Sequence, residues 1–168
     1  MRPHVFSWII WGLTTFIVFF AQAAAGGGAG ALPIGLSGLL TMYIAWLSWR
    51  HRGDMSITRS DWCFLIAALS AVPAWFIARD PLWAVIVLTS VDLLGFGPTL
   101  RKAWDEPRSE SPLFYGLFAL RNALSILALG EWNLATLLFP AAVGAGCLLV
   151  VGLLLWRARV CQTDQSAR

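Results

Sequence analysis

Six long apolar runs dominate this chain and limit the folds that it can adopt. Each run is close to the ~20 residues that an α-helix needs to cross the hydrocarbon core of a bilayer. Hydrophobic residues make up 58% of the chain and charged residues 12%, whereas soluble domains carry about 25% charged residues. The sequence therefore predicts an all-α, polytopic membrane protein with six transmembrane helices in a single domain, residues 1–157, followed by a polar cytoplasmic tail, residues 158–168. The predicted helices cover residues 5–25, 32–49, 62–78, 82–100, 113–129 and 132–156.

The basic residues fall almost entirely on one side of the predicted membrane. If the six helices alternate in direction, ten of the twelve Lys and Arg residues lie on the side of the two termini. These ten are Arg2, Arg50, Arg52, Arg59, Arg101, Lys102, Arg108, Arg157, Arg159 and Arg168. Because basic loops stay in the cytoplasm, we expect cytoplasmic termini and a multi-pass protein of a bacterial inner membrane. The net charge of +3 therefore indicates orientation, and the expected partner is the lipid bilayer and not nucleic acid.

The first apolar run has two interpretations. A basic start, an apolar core and the small residues around Gln22 resemble a secretory signal peptide that would be cleaved near residue 23. The run from Val5 to Ala21 is already longer than the apolar core of most signal peptides, and the alanines that follow bring it to the length of a membrane span. We favour a retained first helix and keep the signal peptide as the alternative.

Weak similarity recurs along the chain at a spacing of roughly 55 residues, as in proteins built from internal repeats. Ala45-Trp46 before the first basic loop corresponds to Ala103-Trp104 before the second, and Trp83 corresponds to Trp132. The pattern predicts three helical hairpin repeats. Internal repeats are common in transporters, whose binding sites lie where the repeats meet near the middle of the membrane.

Asp92 and Arg121 are ionisable residues within two predicted helices, and Asn122 follows Arg121 directly. A charged loop joins these helices, so we expect an antiparallel hairpin in which each charge lies eight residues from the loop-facing end of its apolar run, Leu100 or Leu113. At about 1.5 Å of rise per residue, both charges would lie roughly 12 Å from the same face. Ionisable groups at this depth normally pair with one another or line a pathway. The sequence therefore predicts either a buried ion pair, with Asn122 satisfying further donors, or a polar centre for a solute or ion.

Four helix-weakening residues are candidate hinges or kinks. Pro73 and Pro140 lie inside predicted helices, where neighbouring helices can supply partners for the carbonyl groups that proline leaves free. Gly97 and Pro98 form a weak point at which we expect the fourth helix to end.

The region around Pro98 resembles a known family of membrane transporters. Residues of about 90–150 contain a kink proline, a basic pair, a serine turn, a tyrosine and a Leu-Gly turn, at Pro98, Arg101, Lys102, Ser109, Ser111, Tyr115, Leu129 and Gly130. This arrangement is similar to the three-helix unit of the PQ-loop superfamily, which includes the SWEET and SemiSWEET sugar transporters, although Thr99 replaces the family's glutamine. The resemblance implies a small bundle that carries a small solute.

No pattern in the sequence indicates catalysis, a metal site or a cofactor. Cys63, Cys147 and Cys161 are scattered singly, His4 and His51 have no neighbouring ligands, and common hydrolase and nucleotide-binding motifs are absent. We therefore expect a transporter or carrier for a small solute and not an enzyme. The alternative is a non-catalytic accessory or assembly subunit of a larger membrane complex, and a homo-oligomer would suit either function. A solvent-accessible cavity at Asp92 and Arg121 would favour the carrier, and a solid bundle the accessory subunit.

Overall fold

The computed structural model describes residues 5–51, 57, 59–106 and 110–166, and within these ranges the chain is helical and contains no strand. Five of the helices are long and apolar enough to cross a membrane, and α5, at 16 residues, is shorter. This confirms the all-α expectation and a chain with five to six apolar helices that could span a bilayer. The helices are α1 Val5–Ala24, α2 Leu32–Arg50, α3 Arg59–Ala78, α4 Leu82–Asp105, α5 Pro112–Leu127 and α6 Leu134–Ser166, with a short 3-10 helix, Gly28–Ala31, before α2.

The helices pack in three consecutive pairs, α1 with α2, α3 with α4, and α5 with α6, and each pair is joined by a short connection. We call the end of the bundle that holds these three short connections the glycine end, and the opposite end the basic end. The pairs join through α6, which packs on α4, and through α1, which packs on α3 and α4. The expected hairpin of α4 with α5 is wrong, because α6 packs against both of them and leaves them little direct contact.

The outer surface of the bundle is apolar. Ile77 is 84% exposed, and Phe76 and Leu127 are each 75% exposed. The interior between α3 and α4 instead contains small residues, including the fully buried Ala68 and Ala84, which let two helices approach closely. Large apolar side chains facing outward over small buried ones suggest an integral membrane protein, whose outer face lipid covers.

Three helices extend beyond their predicted ends. α4 passes through Gly97 and Pro98 and ends at Asp105, and α6 continues to Ser166, so most of the predicted tail, residues 158–168, is helical. α3 begins at Arg59 and not at residue 62. The apolar run marks only the part of a helix that lipid can cover, and a polar segment without Gly or Pro can continue the same helix beyond it. Pro98 itself removes only one backbone donor from α4.

Pro140 lies inside α6, where its ring nitrogen cannot donate to the carbonyl of Thr136, four residues earlier. Gln22 of α1 fills this place, because its side-chain Nε2 donates to the Thr136 carbonyl at 2.8 Å. Gln22 is completely buried. A neighbouring helix thus supplies the donor that Pro140 lacks, which explains how α6 accommodates a proline in its interior.

Residues 26–30 and residues 125–131 interlock at the glycine end, and we call this contact the glycine seam. The backbone N–H groups of Gly130 and Glu131 donate to the carbonyls of Gly27 and Gly26 at 3.1 and 3.0 Å, and the Ser125 hydroxyl donates to the Gly30 carbonyl. Gly26 has a φ of +86°, which a residue with a side chain rarely adopts. The seam joins the connection between α1 and α2 to the connection between α5 and α6.

Candidate functional site

A cavity of roughly 170 Å³ lies between five of the six helices. α2 and α5 approach one another at the glycine seam, and their side chains face each other across the cavity further toward the basic end. Trp8 and Phe114 lie in the first turns of α1 and α5, so the cavity reaches from the middle of the bundle toward the basic end. The lining residues are Trp8, Trp11, Thr15, Ser37, Thr41, Asp92, Gly95, Phe96, Thr99, Phe114, Tyr115, Phe118, Arg121, Phe139, Val143 and Cys147.

Asp92 supplies the negative charge of this cavity from the middle of α4. Its Oδ1 atom is buried and accepts no hydrogen bond. One turn earlier on the same face, the hydroxyl of Thr89 is also buried without a partner. A buried polar atom without a partner is costly, and of these two residues Asp92 lines the cavity whereas Thr89 does not.

Arg121 supplies the positive charge from α5. Its Nη2 donates to Oδ1 of Asn122 at 3.0 Å, and its guanidinium carbon lies 5.0 Å from the centre of the Phe118 ring. Both contacts fix the position of the guanidinium group, since a cation over an aromatic face is favourable. The Nε–H of Arg121 is buried and has no acceptor.

Asn122 lies behind Arg121 and is fully buried between α5 and α6. It accepts from Arg121 and donates from Nδ2 to the Phe118 carbonyl at 2.9 Å. A methyl group added to Gly144 would come within 3.2 Å of the Asn122 Cβ, so a glycine lets the two helices meet there. Asn122 therefore positions Arg121 and does not line the cavity.

Asp92 and Arg121 thus face the same cavity, but within the described part of the chain no ion pair joins them. They are close enough for the charge of each to act on the other. The sequence predicted that they would be level across a hairpin, whereas the structure brings them together from helices that α6 holds apart. Neither group therefore uses the other as a hydrogen-bond partner in this structure.

The candidate hinges have different relations to the cavity. Pro140 lies in α6 directly after the lining residue Phe139, and Gly97 lies in α4 between the lining residues Phe96 and Thr99. A methyl group added to Gly97 would meet nothing within 4 Å. The side chain of Pro98 is outside the described residues, and Pro73 belongs to α3, which does not line the cavity. Their role as hinges stays a prediction.

The aromatic lining was missed by the sequence analysis. Tryptophans near helix ends are typical of interfacial anchors, yet Trp8 and Trp11 line the cavity, as do Phe114 and Phe118. The available signal was their spacing, since residues three or four apart share one face of a helix. In the residues that the structure describes, no group of three or more His, Cys, Asp or Glu side chains could hold a metal ion.

No family model matches this chain, and no curated protein and no solved structure shows significant similarity to it. The resemblance to the PQ-loop superfamily therefore stays a prediction. The geometry of the cavity is therefore the main indication of function.

Proposed function

We propose that this protein is a membrane carrier for a small solute, which binds in the cavity between Asp92 and Arg121. The observation that supports the proposal is that both charged side chains face one cavity while Asp92 Oδ1 and Arg121 Nε are buried without partners. Ionisable groups in a membrane interior are rare and commonly belong to transport pathways. A bundle without a cavity at these residues would have favoured the accessory subunit.

The empty site has polar atoms whose hydrogen bonds are not satisfied by the protein. Removing a polar group from water without giving it a hydrogen-bond partner costs about 1–3 kcal/mol, and more for a charged group. Asp92 and Arg121, which line the cavity, each have an atom of this kind. A polar solute would satisfy these atoms together, so binding would recover free energy that folding alone does not.

The two ends of the bundle differ in the way that a carrier requires. The glycine seam joins two of the three connections at one end, and the cavity extends toward the other. In alternating access, a central site is open to one side of the membrane at a time. We propose that the basic end faces the cytoplasm of a bacterial inner membrane, because the described residues Arg50, Arg59, Arg101 and Arg157 lie there, and that Gly97, Pro98 and Pro140 are the hinges.

The test uses Cys147, which lines the cavity. In a Cys63→Ser/Cys161→Ser chain in oriented inner-membrane vesicles, a charged, membrane-impermeant thiosulfonate should modify Cys147 from the cytoplasmic side. The same chain with Cys147→Ser is the control for background labelling. Because Cys147 is only 2% exposed, Thr41→Cys, at a second lining position, is labelled in the same way in the Cys147→Ser chain. Absence of modification at both positions from either side would mean that the cavity is closed to water, and would favour an accessory subunit of a larger complex over a carrier.

A further inference from the structure

We infer that the solute is a small zwitterion that has an amino group and a carboxylate, such as a small amino acid. This inference rests on the proposed function, since it assigns the chemical class of the molecule that the cavity binds. It follows from the presence of two opposite charges in one cavity that do not neutralise each other directly.

The charge balance excludes simpler solutes. A neutral solute would offer a counter-charge to neither side chain, and a solute with one charge would satisfy either Asp92 or Arg121 and add a net charge to the buried site. Leaving one member of a buried charge pair uncompensated is strongly unfavourable. A zwitterion provides both counter-charges and adds no net charge to the site.

Arg121 is prepared for a carboxylate. A guanidinium group has five N–H donors in a planar fork and no acceptor, and it binds carboxylates through two parallel hydrogen bonds. The structure uses one Nη2 donor on Asn122 and leaves Nε without an acceptor. The Phe118 ring under the guanidinium group holds the fork in place, so the remaining donors can meet the carboxylate without reorientation.

The opposite wall is prepared for an ammonium group. The hydroxyls of Thr15 and Thr41 donate to the carbonyls of Trp11 and Ser37 in their own helices, at 2.7 and 2.8 Å. Because each hydroxyl hydrogen is already used, these oxygens can only accept further hydrogen bonds. Both threonines line the same cavity as Asp92, and acceptors of this kind suit an ammonium group, which has three donors and no acceptor.

The size of the cavity limits the solute. Sites for drug-sized ligands have volumes of about 300–1,000 Å³, whereas this cavity measures roughly 170 Å³. Apart from the two charges, most of its lining is aromatic or aliphatic. An amino acid with a short apolar side chain matches both the volume and the lining.

The test compares matched solutes on the purified full-length protein in lipid nanodiscs, by calorimetry. Valine carries both charged groups, isobutylamine lacks the carboxylate, and 3-methylbutanoate lacks the amine. The Kd of valine should be at least about tenfold lower than that of either analogue. Asp92→Asn should lower valine affinity to that of 3-methylbutanoate, and Arg121→Gln to that of isobutylamine.

The controls are Asp105→Asn and Arg101→Gln, which change the same residue types in an exposed pair 4.0 Å apart and should leave valine binding unchanged. If a site variant does not fold, the labelling of Cys147 is measured in the chain with the native site. Valine should protect Cys147 from modification, and the two analogues should not. The inference is overturned if either analogue binds as tightly as valine, or if glycine, alanine and valine all fail to bind. If Cys147 is still reached from one side in that case, the carrier proposal stands and only the zwitterion is excluded.

Discussion

Gln22 donates a hydrogen bond of 2.8 Å to the carbonyl of Thr136, a residue 114 positions later in the chain. The carbonyl that it reaches is the one that Pro140 leaves without an intrahelical donor. A polar residue in α1 and a proline in α6 are therefore two parts of one interaction between helices that both line the cavity.

This relation predicts coupling between Gln22 and Pro140. Pro140→Ala restores a backbone N–H that can donate to Thr136, so Gln22→Leu should be less destabilising in the Pro140→Ala chain than in the native one. We expect a coupling free energy of about 1 kcal/mol or more, in line with the value of a buried hydrogen bond. The measurement is a double-mutant cycle of unfolding free energies in detergent.

The cycle removes the other effects of each change. Oε1 of Gln22 is buried without a partner, so Gln22→Leu also removes an unfavourable group, and Pro140→Ala leaves a small void. Both effects occur in each background and cancel. Additivity within about 0.5 kcal/mol, as for independent sites, would mean that the two residues do not act together.

Gly30→Ala should destabilise the glycine seam. A Cβ at position 30 would lie 2.6 Å from the carbonyl oxygen of Ser125 and 2.9 Å from the Cα of Leu129, so the backbone must move. We expect a loss of about 1–3 kcal/mol, the range for an overpacked site, measured as a lower free energy of unfolding.

Gly116→Ala is the matched control for this change. It lies inside α5, and an added Cβ would meet nothing within 4 Å. Because alanine is the better helix former, this variant should gain about 0.5–1 kcal/mol. Equal effects of the two substitutions would contradict the close approach of the seam.

Asn122→Leu should destabilise the protein and weaken solute binding together, because it removes the acceptor that positions Arg121. Hydrogen bonds to charged groups contribute about 1.5–3 kcal/mol, and we expect a loss of stability in that range. Asn122→Asp keeps the acceptor for Arg121 but replaces the Nδ2 donor to the Phe118 carbonyl with an oxygen, so it should also lose stability. It should still lower the affinity for a carboxylate, since the new charge competes for Arg121. If Asn122→Leu changes neither stability nor binding, Asn122 does not position Arg121.

Arg157→Gln should loosen the end of α4. Nε of Arg157 donates to the Trp104 carbonyl at 3.1 Å, and its guanidinium carbon lies 5.0 Å from the Trp104 ring. We expect faster amide hydrogen exchange in the last turn of α4 and a loss of about 0.5–1.5 kcal/mol. Arg101→Gln, which removes a side chain that is 87% exposed, should have little effect on either measurement. Similar exchange in the two variants would contradict the contact.

The sequence predicted the helices well where lipid limits the composition and poorly where it does not. The apolar run fixed α1 to within one residue of its end, but α4 and α6 continue through polar segments that carry no signal of termination. Glycine and proline at positions 97 and 98 suggested an end to α4, yet one missing donor does not break a helix whose other hydrogen bonds remain.

The sequence analysis identified the two charged residues of the site but not the aromatic and hydroxyl residues that line it. Asp92 and Arg121 are conspicuous because charged residues are rare in apolar runs. Their neighbours are common aromatic and hydroxyl residues, and which helices face the cavity depends on tertiary packing. α6 lies between α4 and α5. Nothing in the loop that joins α4 to α5 predicts that a later helix will pack between them.

The glycine seam has a consequence for the direction of transport. Two of its three hydrogen bonds join backbone to backbone, and the third ends on a backbone carbonyl. In the proposed carrier, passage of a solute between the two connections that the seam joins would require the main chain itself to separate, a larger rearrangement than the rotation of a side chain. Opening toward the glycine end would then be the slow step of the proposed transport cycle. Its rate would depend on the conformational change of the glycine backbone and hardly on the chemical nature of the solute.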